Sequence, residues 1–115
     1  MQYLLLIYGA EAQWGTMSEA ERNKTMAEYG TFTKGIVESK NMQGGNRLQP
    51  VSTATTVRVR DEKVSKTHGP FAETREQLGG YYLIEAKDLD EACAIASRIP
   101  AARTGCVEVR PIAPM

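Results

Sequence analysis

Gln2-Tyr3-Leu4-Leu5-Leu6-Ile7-Tyr8 is the stretch on which the fold turns. Its run of large apolar side chains predicts a β-strand. Side chains alternate across a strand, so Tyr3, Leu5 and Ile7 share one face while Leu4, Leu6 and Tyr8 share the other. A strand that is apolar on both faces has to be covered on both. A second strand of this kind is predicted from Gly80 to Ala86, with Tyr81 and Leu83 on one side and Tyr82 and Ile84 on the other.

Outward from the first strand, Gly9 ends it and residues 9–17 are expected to form a loop around Trp14. The Trp14 indole either packs on the core edge or offers a ligand a stacking platform. Ser18-Glu19-Ala20-Glu21 has the spacing of a capping box, with the Ser18 hydroxyl accepting from the Glu21 amide and Glu21 reaching back. Met26, Tyr29, Phe32, Thr33, Ile36 and Val37 then recur at steps of three and four, which predicts one apolar helix face running to about residue 39. Gly30 and Gly35 each cost up to about 1 kcal/mol of helix propensity, a sacrifice that close packing on a sheet would explain. Met42 to Gln49 reads as a short strand, with a bulge or close backbone approach at Gly44-Gly45.

Thr53 to Arg60 alternates, with Thr55, Val57 and Val59 on one face and Thr56, Arg58 and Arg60 on the other. Asp61-Glu62 turns the chain and Lys63 to Thr67 pairs back as a hairpin, expected to extend the sheet with one wet side. His68-Gly69-Pro70-Phe71 is a tight turn into a charged loop, where Phe71 is expected to act as a hydrophobic anchor. That loop closes at Gly79-Gly80. Asp88 to Glu91 repeats the capping logic for a second helix, whose predicted buried face is Leu89, Ala92, Ala96 and Ile99. Cys106 to Ile112 is the last strand.

Without the hairpin, the order is β-α-β-β-α-β: an α+β, ferredoxin-like antiparallel sheet with both helices on one face. The other face then carries the second set of large apolar residues from both central strands. Leaving these wet would forfeit roughly 1.5–3 kcal/mol each. A face-to-face homodimer, two sheets together, is the simplest cover.

The whole chain narrows the function classes. Its 115 residues fit one domain spanning residues 1–115. Fourteen basic residues balance fourteen acidic ones, so no charge excess favours direct nucleic-acid binding or an anionic membrane. The longest apolar run, Tyr3 to Tyr8, is far too short to cross a bilayer. The N-terminal segment lacks the features of a signal peptide, and the expected location is the cytoplasm. Cys93 and Cys106 lack metal-ligand spacing and are read as small buried hydrophobes. No metal or cofactor motif is present; Gly79-Gly80 is not followed by the Lys-Ser/Thr of a phosphate loop.

The candidate site residues are His68, Tyr29, Arg47 and Glu73. His68 is the only histidine and titrates near neutral pH, as a general acid or base must; the alternative is a solvent-facing turn residue. Glu73, on the same loop as Arg75 and Glu76, either orients an imidazole or a substrate hydroxyl or belongs to a solvated charged loop. Arg47 presents a fork of donors that suits a carboxylate or phosphate; the alternative is an ordinary inter-strand or interface salt bridge. Tyr29 is either pocket lining or a proton-transfer partner.

Together, Tyr3-Leu4-Leu5-Leu6-Ile7-Tyr8, Arg47-Leu48-Gln49-Pro50, Ser52-Thr53-Ala54-Thr55-Thr56-Val57-Arg58, Gly69-Pro70-Phe71-Ala72-Glu73-Thr74, Gln77-Leu78-Gly79-Gly80-Tyr81-Tyr82, Pro100-Ala101-Ala102-Arg103 and Val107-Glu108-Val109-Arg110-Pro111 resemble the YCII-related family, in the branch named for an Asp-Gly-Pro-Phe motif. The resemblance implies a dimeric α/β barrel. It also implies, for the wider family, an acid–base pair of a helix histidine and an aspartate. Here Tyr29 stands at the place of that histidine and His68 at the motif aspartate. Two functions follow as expectations. One is a small-molecule site without cofactor, binding an anionic or aromatic ligand in a cleft near loop 68–80, with acid–base catalysis by His68 and Tyr29. The other, implied by the association of similar domains with extracytoplasmic-function sigma factors, is a regulatory module with a protein partner.

Overall fold

The computed structural model describes residues 1–115. Strands β1 (Gln2–Gly9), β2 (Met42–Arg47), β3 (Thr55–Arg60), β4 (Lys63–His68), β5 (Gln77–Glu85) and β6 (Cys106–Pro111) alternate with helices α1 (Glu11–Thr16), α2 (Glu19–Glu38) and α3 (Leu89–Ala96). Four strands form one antiparallel sheet in the order β2-β5-β1-β6. This is an α+β architecture, and the order is compatible with a ferredoxin-like fold. No helix is long and apolar enough to cross a membrane.

The two-faced strands occupy the centre of the sheet. In register, Tyr3 faces Ile84 and Leu5 faces Tyr82, while Leu4 faces Leu83 and Leu6 faces Tyr81. The first set, with Phe32 and Ile36 of α2 and Ala92, Ile95 and Ala96 of α3, forms the core. Leu4, Leu6, Tyr8, Tyr81 and Leu83 make up the opposite face, where no element of the same chain covers them, and all five keep intermediate exposure.

Both long helices start where their caps put them. Ser18 Oγ accepts from the Glu21 amide at 3.1 Å, and Asp88 Oδ1 from the Glu91 amide at 2.9 Å. The Glu21 carboxylate accepts from the Ser18 hydroxyl, 3.1 Å away, rather than returning to the backbone. The expected bulge lies between Met42 and Gly44. A Cβ on Gly45 would lie 2.8 Å from the Tyr81 carbonyl oxygen, so β2 crosses β5 too closely for a side chain there.

Several expectations are corrected. The loop at 9–17 contains helix α1, too short to show a periodicity. Met26 and Val37 stay exposed on α2, because its core contact narrows to Phe32 and Ile36. Gly30 and Gly35 would meet nothing within 4 Å as alanines, so neither serves close packing. On α3, Ile95 is buried in place of Leu89, which remains exposed at the first turn. Cys93 and Cys106 are exposed free thiols, since α3 turns Ala92, Ile95 and Ala96 to the core and Cys106 sits at the start of edge strand β6.

The largest departure concerns β3 and β4. They pair with each other alone, as a separate two-stranded ribbon, and do not extend the main sheet. Asp61 and Glu62 at its tip both have positive φ, 52° and 63°, as a tight turn matched to strand twist requires. The ribbon stands out from the body as an arm. The radius of gyration is accordingly 16.1 Å, against about 13 Å for a compact chain of this length. Phe71, beyond the arm, is 82% exposed and anchors nothing within its own chain.

Candidate functional site

A cleft of about 1260 Å³ opens on the helix side of the sheet, between α1, the stretch of α2 from Glu21 to Lys34, the β2 edge and the 3-10 turn Pro100–Arg103. Its position follows from local chemistry. Helix α1 is tethered at its first residue on two sides: the Glu11 amide donates to Gln77 Oε1 at 2.9 Å, and Glu11 Oε2 accepts from the Val51 amide at 3.0 Å. So fixed, α1 presents Trp14 to β2. The Arg47 guanidinium lies over the indole, 5.4 Å from the ring centroid, a cation–π contact.

Arg47 has no carboxylate within ion-pair distance. The ion pairs of the chain are Met1–Glu85, Arg103–Glu28 and Arg110–Glu108. Its one side-chain hydrogen-bond contact is the Met26 sulfur at 3.9 Å. The inter-strand salt bridge weighed against an anion-binding role is therefore absent within the chain.

Tyr29 projects from α2 into the same cleft. Burial pushes its phenol above the ordinary 10.0; the Ala101 backbone and the Arg103 and Arg47 guanidiniums pull the other way without overcoming it. At neutral pH Tyr29 is a neutral phenol, a hydrogen-bond donor rather than a base. Deeper in, Thr33 Oγ1 and the Tyr82 hydroxyl share a hydrogen bond of 2.7 Å. The Tyr82 ring stands edge-on to Phe32 at 5.2 Å. Three aromatic side chains, Trp14, Tyr29 and Tyr82, thus line a space whose cations without an ion-pair partner are Arg47 and Lys34, and of these Arg47 lies against the Trp14 ring.

Of the residues expected from the sequence, Tyr29 and Arg47 come together in this cleft. His68 and Glu73 do not line it. His68 ends β4 at the root of the arm, exposed and opposite Thr55; Glu73 is exposed in the loop beyond. The cleft meets that loop's far end instead, at Gln77, Gly79 and Gly80. Tyr82, Thr33 and Arg103 were missed as site residues. Tyr82 alternates with Tyr81 on a two-faced strand, so the sequence separates core from open face there but not pocket from core.

The geometry defines an α+β chain with an aromatic, cation-bearing cleft between sheet and helices. The YCII-related domain matches residues 1–115 in full, and the chain belongs to that family. It is 36% identical over 115 residues to an uncharacterized protein of Rhizobium meliloti (strain 1021), covering 98% of this chain and 93% of that one.

Proposed function

We propose that the cleft binds a small aromatic anion, its carboxylate on Arg47 and its ring among Trp14, Tyr29 and Tyr82. The observation that carries this is the Arg47 guanidinium, held on Trp14 with no acidic partner. A charge-assisted bond to a carboxylate is worth about 1.5–3 kcal/mol, roughly 10–100-fold in affinity. In any acid–base step, the proton donor is the neutral Tyr29 phenol in the cleft, and none is routed through His68 in the same chain. Membership of the Asp-Gly-Pro-Phe branch, with His68 at the aspartate position, belongs to the same reading. A regulatory role beside a sigma factor rests on family resemblance, and no feature of the cleft favours it.

Trp14 is the sole tryptophan, so its fluorescence reports the cleft directly. Benzoate and salicylate are expected to shift or quench it saturably, benzamide much more weakly, and Arg47→Met to raise the benzoate Kd about 10-fold or more. No response to any aryl carboxylate, or an Arg47→Met titration equal to wild type, overturns the reading.

The same reading makes the chain a homodimer in which the Leu4, Leu6, Tyr8, Tyr81 and Leu83 faces of two copies meet. Its support is the uncovered apolar face itself, for which the single chain provides no second layer.

A further inference from the structure

We infer that the β3–β4 arm is a dimer clasp, packing its valine face on a second copy of the chain; this rests on the homodimer reading above. A two-stranded ribbon is marginal in water by itself, and it needs a further strand or a packing partner. This one has neither: β3 and β4 touch other strands and helices only in isolated contacts.

The ribbon has two different faces. Register puts Val57, Val59 and Val64 on one side with Thr55, Lys66 and His68, and Arg58, Arg60, Lys63 and Ser65 on the other. The three valines are 56%, 56% and 64% exposed. An amphipathic ribbon with its apolar face in water lacks a surface to lie on.

Area argues for a second copy as that surface. From strand spacing and rise, the open face of a four-stranded sheet of this length covers roughly 400–500 Å². Standard interfaces bury about 800 Å² per partner, so the sheet faces alone fall short. Each arm face adds roughly 200 Å² by the same dimensions. In a twofold contact each copy gives an arm and receives one, so one operation covers both bare surfaces. The balanced charge of the chain opposes no self-association.

The test is sedimentation equilibrium on the full chain. Wild type is compared with the triple variant Val57→Thr, Val59→Thr, Val64→Thr, which keeps side-chain volume and strand propensity. A control, Arg58→Thr with Lys63→Thr, alters the wet face. The clasp is expected to make the triple variant dissociate at least 10-fold more readily, with far-UV circular dichroism and Trp14 fluorescence unchanged and the control close to wild type. A wild-type dimer matched in affinity by the triple variant overturns the clasp and leaves the sheet-to-sheet dimer standing. The clasp fails equally if the arm instead folds over its own cleft, seen as a changed benzoate Kd in the triple variant with its dimer affinity intact. A wild-type monomer at 10 µM overturns both.

Discussion

The Arg47–Trp14 pair illustrates how two residues more than thirty positions apart acquire meaning only in the fold. Arg47 was legible as an anion-binding candidate from its type, but its partner was not, because α1 is too short for a periodic signal. Tyr29 shows a second residue-scale effect. Its phenol is favoured in the protonated state by burial. Its folded value lies above the unfolded one, so the associated stability is present below pH 10 and is lost as pH rises through the folded value. Unfolding midpoints in urea measured from pH 8 to 11 are expected to fall more shallowly for Tyr29→Phe than for wild type. A parallel decline would show that Tyr29 is not the group responsible.

At the scale of elements, glycines of opposite significance look identical in the sequence. A Cβ on Gly105 would sit 2.1 Å from the Tyr8 carbonyl oxygen, so Gly105→Ala forces β1 and the start of β6 apart. A loss of about 3 kcal/mol is expected by chemical denaturation. Gly35 on α2 meets nothing, and Gly35→Ala is expected to gain about 0.5–1 kcal/mol through helix propensity. If both substitutions move stability in the same direction, the close approach at Gly105 is not what the backbone requires. Asp61 and Glu62 hold positive φ at a cost of roughly 1–2 kcal/mol per residue. Asp61→Asn with Glu62→Gly should relieve it, seen as stronger amide-exchange protection in β3 and β4; unaltered protection would count against a strained tip. Strand alternation, both caps and the hairpin were legible because each is a local signal. The arm's separation from the sheet was not, because alternation records that one face is apolar and not what lies against it. The exposure of Phe71 and of both cysteines escaped for the same reason.

For the molecule as a whole, the reading of Tyr3 to Tyr8 and Gly80 to Ala86 as two-faced holds within the chain: one set of side chains forms the core and the other is left without a roof. Light scattering after size exclusion is expected to give twice the 12.7 kDa chain mass. Leu6→Glu, in the middle of the open face, is expected to shift that mass to one chain with secondary structure retained. A Leu6→Glu protein still of double mass would place the contact elsewhere. Of the candidate site, the half carried by α2 and β2 could be foreseen; of the half expected on the loop from His68, His68 lies at the arm's root and Glu73 in the exposed loop, and only the loop's far end at Gln77, Gly79 and Gly80 meets the cleft.

The sheet order β2-β5-β1-β6 interleaves the two halves of the polypeptide: every neighbouring pair joins a strand from before the arm's tip to one from after it. The tip also carries a cluster of trypsin sites, with Arg58, Arg60, Lys63 and Lys66 all exposed. A single cut there would separate the chain covalently while leaving every ladder of the main sheet spanning the break. The two pieces, co-expressed as a split protein, should find each other and reconstitute the body, whereas neither alone contains two strands that are neighbours in it.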